Sequence, residues 1–264
     1  MFGDRGEIDF PFRLDRGNGA VPDLLGDFEG ALLSDGNRAC AAYAESRNGA
    51  AGHASCRARA RREFEKAKDS EPRLAAEALE LIGALQLCER EIRERKLEGR
   101  EKLEFRRTRS RPVANAFWKW CDRRYEDPRH LPKSPIAEAP DYARNRRSEL
   151  EAWLSDPEVP IDANHLERGL RVLPLGRKNW LFCWTEVGAE AVGIVQSPVA
   201  TCRLQGVDPR ACLEDVLRRV SVHPSSRVQE PAPRLWKDLF AGDPMKSDLG
   251  TGVECRASDP PNGT

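Results

Sequence analysis

Apolar and polar positions follow two different periods along this chain. Near the start, Ile8, Phe10, Phe12 and Leu14 recur every second residue. That is the period of a strand, and Pro11 confines such a strand to a sheet edge. Residues 22–28 predict a short helix with proline near its start. Residues 29–36 predict a buried strand ending in Asp35 and Gly36. The period then lengthens: Leu74, Ala78, Leu81, Ile82, Leu85, Cys88 and Ile92 recur at three and four residues. Residues 57 to about 107 therefore predict a long amphipathic helix or an antiparallel pair.

Further along, Ser110-Arg111-Pro112 predicts a break, and residues 113–124 a helix carrying Phe117, Trp118 and Trp120. Residues 131–135 read as a linker. Residues 136–155 predict a helix that Pro140 kinks or restarts. A turn at residues 156–160 precedes a short helical pattern with Asn164, Glu167, Arg168 and Arg171 on one face. Residues 188–204 are helix-like with Pro198 in their middle. Asp208 is placed to cap a last amphipathic helix, with Pro209 at its first position. The tail from Ser221 packs through Leu235, Trp236 and Phe240 and then frays. The pattern is α/β and predominantly helical, in four segments: 1–56, 57–135, 136–220 and 221–264.

Composition narrows the function classes. Apolar residues make up 39% of the 264, enough to bury a core, and charged residues 33%. Lys and Arg balance Asp and Glu at 43 each, so net charge does not call for nucleic acid. Basic residues nevertheless cluster at 57–62, 106–111, 144–147 and 177–178. Eight scattered cysteines form no Cys-x-x-Cys and none lies close to a histidine, which argues against zinc and for free thiols in the cytoplasm. No apolar run reaches the ~20 residues of a membrane span, and residues 1–20 lack a signal-peptide core.

Asp35 ends a predicted strand, where α/β folds face their ligands, although Asp-Gly is also an ordinary turn. Glu167 is either a metal-site acid or a surface partner of Arg171 one turn on. Arg57, Arg59, Arg61 and Arg62 either track a DNA backbone or form a solvated face paired with Glu63 and Glu65. Arg177 and Lys178 follow the Glu167 helix, where cations suit the helix dipole and can also meet phosphate. Trp118 and Trp120 read as core. His165 lies near these groups on a polar helix position.

Four motifs occur in order: Ser34-Asp35-Gly36; Asn164-His165-Leu166-Glu167-Arg168; Gly176-Arg177-Lys178-Asn179-Trp180-Leu181-Phe182; and Gly206-Val207-Asp208-Pro209. Together they resemble the transposases of insertion-sequence family sixty-six, especially the branch with Cys183-Trp184-Thr185-Glu186 and His223-Pro224. The resemblance covers roughly residues 8–249. It implies a partial ribonuclease-H-like catalytic core with a large helical insertion. It implies an Asp-Asp-Glu triad that binds two divalent cations, Mg²⁺ or Mn²⁺, and cuts and joins DNA at transposon ends. By position, Asp35 is the second Asp and Glu167 the third acid, both catalytic and metal-binding, and 132 residues separate them. The implied DNA-contacting set is Arg57, Arg59, Arg61, Arg62, Arg168, Arg171, Arg177 and Lys178. Implied partners are transposon-end DNA and a second copy or a full-length transposase.

The departures point to decay. No acid stands in the context of the first Asp, although Asp4 and Asp9 lie nearby. Asn37 replaces a Tyr, Arg57 and Arg59 replace Trp and His, Ala163 replaces a polar residue, and Pro198 replaces Leu. A helix-interior Pro costs about 3 kcal/mol or more. The expectation is a 5′-truncated copy with an incomplete site and absent or very weak strand transfer. The alternatives are a DNA-binding or oligomerising remnant that modulates a full-length transposase, and a fragment without function.

Overall fold

The structure, a computed structural model, describes residues 1, 3, 6–14, 19–126, 134–176 and 185–245, the side chains of 165–167 apart. The chain forms two compact units, residues 15–168 and residues 1–14 with 169–264.

In the first unit, α1 (Ala20–Leu25) leads into β1 (Gly30–Ser34), α2 (Arg38–Ser46) and β2 (Ala51–Ser55). β1 and β2 pair in parallel, with Leu33 opposite Ala54 and Ser34 opposite Ser55. Parallel neighbours need a crossover, and α2 supplies it. Its N-cap is Asn37, whose side chain accepts from Ala39 N at 2.9 Å. That cap gives the Asn at this position a local role. The strand predicted at residues 29–36 is present but half-exposed rather than buried.

The helices that follow are α3 (Arg57–Lys66), α4 (Pro72–Glu94), α5 (Gly99–Phe105), α6 (Arg111–Tyr125), α7 (Pro135–Arg144) and α8 (Arg147–Glu151), then a 3-10 turn at Ala152–Leu154. The predicted break at Pro112 is not one. A π-helical stretch, Arg106–Ser110, joins α5 to α6, and Arg111 N reaches back to Arg106 O. The wider turn absorbs the bond and the space that Pro112 would otherwise remove. The helix predicted over 136–155 restarts after Arg144, whereas Pro140 sits buried inside α7.

The main core joins α3, α4, α6, α7 and α8. Phe64 lies edge-on to Phe117 at 5.7 Å and to Trp120 at 5.9 Å, and Phe117 edge-on to Trp118 at 5.0 Å. Burial of each ring contributes about 1.5–3 kcal/mol, more than the ~0.5–1.5 kcal/mol of edge-on geometry. Trp118 and Trp120 are core residues, as their spacing predicts. Their indole N–H groups donate to Glu151 at 2.6 Å and Glu77 at 3.0 Å.

A second cluster sets Leu33 and Ala54 against Leu85, Ala114, Trp153, Val159 and Ile161. Beside it Arg106 is fully buried. It forks onto Glu89 at 2.8 and 2.7 Å and donates to the carbonyls of Trp153, Asp156 and Val159. This cation satisfies the backbone of the turn before α9 (Asn164–Leu170), whose first residues close the unit.

The second unit contains α10 (Val172–Gly176), α11 (Glu186–Leu204), α12 (Pro209–Arg219), a 3-10 turn at Ser225–Arg227 and α13 (Pro233–Leu239). Asp208 caps α12 by accepting from Arg210 N at 3.0 Å, as expected. Trp236 and Phe240 pack on Cys202 and Cys212. The Asp215 carboxylate is buried, which raises its pKa. Hydrogen bonds from Arg219, Met245 N and Trp236 outweigh this and hold it below the usual carboxylate range. α11 runs through Pro198 without ending.

The alternation at Ile8 and Phe10 predicts an edge strand, and both residues are buried; Glu7 O and Asp9 N bond the backbone of Gly3 and Met1 at 2.8 and 2.9 Å, while the opposite edge meets a helix. Ile8 N donates to Thr201 Oγ1 and Phe10 N to Ser197 Oγ, each at 3.0 Å. Gln205 Nε2 donates to Gly6 O at 3.1 Å. Two hydroxyls of α11 and the amide of its C-cap, spaced one turn apart, thus take the place of a strand on that edge. Gly193, one turn earlier, lies under Phe10, where a Cβ would overlap the Phe10 carbonyl oxygen.

Two stability outcomes follow. Gly193→Ala forces the docked segment off α11, with an expected loss of about 1–3 kcal/mol in urea unfolding and faster amide exchange at Ile8 and Phe10; unchanged exchange at both contradicts this packing. Glu89→Ala leaves the Arg106 charge buried and uncompensated, with an expected loss of about 3–5 kcal/mol by the same measurement. A loss below ~1 kcal/mol, the scale of an exposed pair, would count against it.

Candidate phosphoryl-transfer site

The site is built at the carboxyl edge of the two-stranded sheet. Asp35 follows the last residue of β1 and is exposed. Gly36 comes next at φ +90°, a left-handed conformation that favours glycine. A Cβ there would stand 3.0 Å from Tyr142 Oη and 3.7 Å from Arg146 Nε. The turn thus lies against α7 and its exit, where the Arg146 guanidinium rests 4.3 Å from the Tyr142 ring centre.

The end of β2 is tied to the same edge. Cys56 N donates to Ser34 O at 2.8 Å, continuing the pairing one residue past the strands. Cys56 Sγ accepts from Ala163 N at 3.1 Å, and Arg57 N donates to Ile161 O at 3.3 Å. These bonds bring residues 161–163 to the end of β2. Asp162 Oδ1 accepts from Asn164 N at 3.1 Å, where α9 begins. The segment that opens the Glu167 helix and the turn that carries Asp35 are therefore both anchored, through Cys56, at one sheet edge. The side chains of Glu167 and His165 lie outside the described residues, as do Asp4, Arg177, Lys178 and the 131–133 part of the linker.

The basic residues of α3 divide. Arg57 is 4% exposed, and its guanidinium packs over Phe117 at 5.1 Å and donates to Leu150 O at 3.3 Å. Burial lowers its pKa to about 10, so it remains charged near neutral pH. Arg57 is thus a core cation, which removes it from a DNA-facing set: a guanidinium spent on a buried carbonyl and ring does not reach phosphate. Arg61 is engaged by Glu65 and Gln86, each at 3.0 Å. Arg59 and Arg62 are exposed, three residues apart on one face of α3. Arg168 and Arg171 are exposed as well.

Burial pushes the Cys121 thiol up to about 12 and raises Cys40. Among the described residues no group of three or more His, Cys, Asp or Glu is arranged to hold a metal ion. None of their helices is long and apolar enough to cross a membrane.

A polar network beside Asp35 escapes sequence reasoning. Ser34 Oγ lies 2.8 Å from His53 Nε2 and accepts from Gly36 N at 3.2 Å. His53 Nδ1 stands 3.4 Å from Glu149 Oε2, which also accepts from Ser55 Oγ at 2.5 Å. The one sequence signal is a histidine inside the otherwise small-residue strand Ala51-Gly52-His53-Ala54-Ser55. Glu149 lies 94 residues beyond Ser55.

The sequence matches the Transposase IS66 family over residues 4–191. It is 33% identical over 203 residues to the uncharacterized protein y4hP of Sinorhizobium fredii, covering 72% of this chain and 36% of that protein. It is 32% identical over 235 residues to y4qI of the same organism, covering 86% and 43%. A third relative there, y4jD, is 31% identical over 203 residues, covering 74% and 39%. The chain thus spans about two fifths of the length of these curated relatives. No solved structure gives a comparable match. With the family match extending over most of its length, the chain belongs to the Transposase IS66 family.

Proposed function

We propose that this chain forms part of the DNA-cleaving and strand-joining centre of an Asp-Asp-Glu transposase. Asp35 and Glu167 serve in it as catalytic, metal-binding acids on a partial ribonuclease-H-like core. The observation that carries this reading is the junction at Cys56, which anchors both acid-bearing segments at one sheet edge. A parallel β-α-β unit with an acid just past its first strand suits a ligand-facing carboxyl edge.

The residues suit a hard divalent cation, Mg²⁺ or Mn²⁺, as far as Asp35 goes: it is exposed and forms no hydrogen bond or ion pair among the described residues. When bound, such cations activate a water or 3′-hydroxyl and stabilise the leaving oxygen of a phosphodiester. The chain's own part is to hold the carboxylates and neutralise the DNA backbone. Arg59 and Arg62 fit the second task, each phosphate contact adding sequence-independent, salt-sensitive affinity.

In these 264 residues no acid stands in the context of the first Asp. Asp9 Oδ1 lies beside α11, 3.2 Å from the Ser197 hydroxyl, whose nearer acceptor is Gly193 O at 2.7 Å. With two of three acids, strand transfer by this chain alone is absent or very weak. A second reading, a DNA-binding or oligomerising remnant that modulates a full-length transposase, is favoured by the exposed arginines of α3.

Cation binding and cleavage of terminal-repeat DNA test the first reading. The expected result is Mn²⁺ binding that Asp35→Asn removes, with little or no cleavage. Robust Asp35-dependent nicking would overturn the inactivity, and Mn²⁺ binding indifferent to Asp35→Asn would overturn the site. DNA affinity measured against salt tests the arginines. Arg59→Ala should lower the log–log salt slope by about 1 at unchanged thermal stability. An unaltered slope removes Arg59 from the contact set.

A further inference from the structure

The two strands present different chemistry on their two faces. Leu33 and Ala54 turn to the apolar cluster around Trp153. By strand alternation Ser34, His53 and Ser55 lie on the other face. There Glu149, from α8, closes over His53, whose side chain is only 7% exposed.

The contacts allow one direction of donation, from the turn to His53. Gly36 N donates to Ser34 Oγ at 3.2 Å. A serine hydroxyl has one proton and two lone pairs, so while accepting there it can still donate to His53 Nε2, 2.8 Å away. His53 then carries its proton on Nδ1, facing Glu149 Oε2 at 3.4 Å. That distance is within reach of the carboxylate charge but outside hydrogen-bond geometry, so the buried Nδ1 has Glu149 as its electrostatic partner and no hydrogen bond. In that arrangement the carboxylate charge favours the Nδ1 proton, Nε2 accepts from the serine, and the serine accepts from the amide just after Asp35.

We propose that Glu149, His53 and Ser34 form a relay that fixes the turn at Asp35 and Gly36, with His53 as the positioning residue for the Asp35 carboxylate. The relay crosses from the helices to the sheet edge, so the packing of α8 determines how rigidly that acid is presented. This deepens the function proposed above and rests on it for what Asp35 does; the contact with Gly36 N does not depend on it. Groups that act through a ligand in this way typically change metal affinity about 10–100-fold when removed.

The test uses the whole chain and four variants: His53→Phe, His53→Gln, Ser34→Ala and Asp35→Asn. It reads site-resolved amide exchange at Gly36 and Mn²⁺ affinity by calorimetry. The expected result is faster Gly36 exchange and about 10-fold weaker Mn²⁺ binding in His53→Phe and Ser34→Ala. His53→Gln, which keeps a donor and an acceptor, should recover much of both. Asp35→Asn should abolish binding and leave Gly36 exchange unchanged. If His53→Phe does not fold, the half-exposed Ser34→Ala carries the same test. Unchanged Gly36 exchange in either folded variant overturns the relay, whatever the metal result. Faster exchange with unchanged Mn²⁺ affinity overturns the positioning role, provided Asp35→Asn abolishes binding. Should the wild-type chain bind no Mn²⁺, or Asp35→Asn leave binding intact, the function proposed above fails. The relay then stands or falls on Gly36 exchange alone.

Discussion

The backbone at Cys56 and Arg57 is where three separate parts of the first unit meet. One amide, Cys56 N, extends the pairing with β1. The next, Arg57 N, and the buried Cys56 sulfur receive the segment that opens the Glu167 helix. These bonds, with the apolar cluster that holds Leu33 and Ile161, tie the turn after β1 to the start of α9, more than a hundred residues away in the chain. A thiol is a weak acceptor. Here it is 1% exposed, so the Ala163 amide has no water to replace it.

The helices between these parts therefore do more than span a gap. Arg106, held in a π-helical turn, satisfies three carbonyls of the loop that returns to the sheet. Arg57 supports the aromatic core from the other end of the junction. Glu149 reaches the sheet through His53 and Ser55. A buried cation with a fully used guanidinium group, as Arg106 has, suits a loop whose carbonyls would otherwise be buried without donors. The carboxyl edge of a two-stranded sheet is thereby fixed by helices rather than by further strands.

Local signals were legible in the sequence. Asp208 with Pro209, the three-and-four spacing from Leu74 to Ile92, and the tryptophans of α6 each depend on near neighbours, and each reads correctly. The alternation from Ile8 predicts burial correctly but not its partner, because a helix with Ser197 and Thr201 one turn apart can satisfy an extended backbone as a strand does. Pro112 reads as a break because proline removes an ordinary helical bond, and the pattern does not reveal that a π turn restores continuity. Arg57 reads as a surface cation because its aromatic platform lies sixty residues away. The network of His53 and Glu149 was out of reach for the same reason. The motif around Asp35 was legible, whereas its support was not.

In the function proposed above, Asp35 and Glu167 converge on one divalent cation at this edge. Anomalous scattering from Mn²⁺-soaked crystals of the chain measures that most directly. The expected result is a manganese peak bonded to oxygens of both side chains, at about 2.0–2.6 Å. A manganese ion bound elsewhere, with the two carboxylates pointing away from each other, would contradict it.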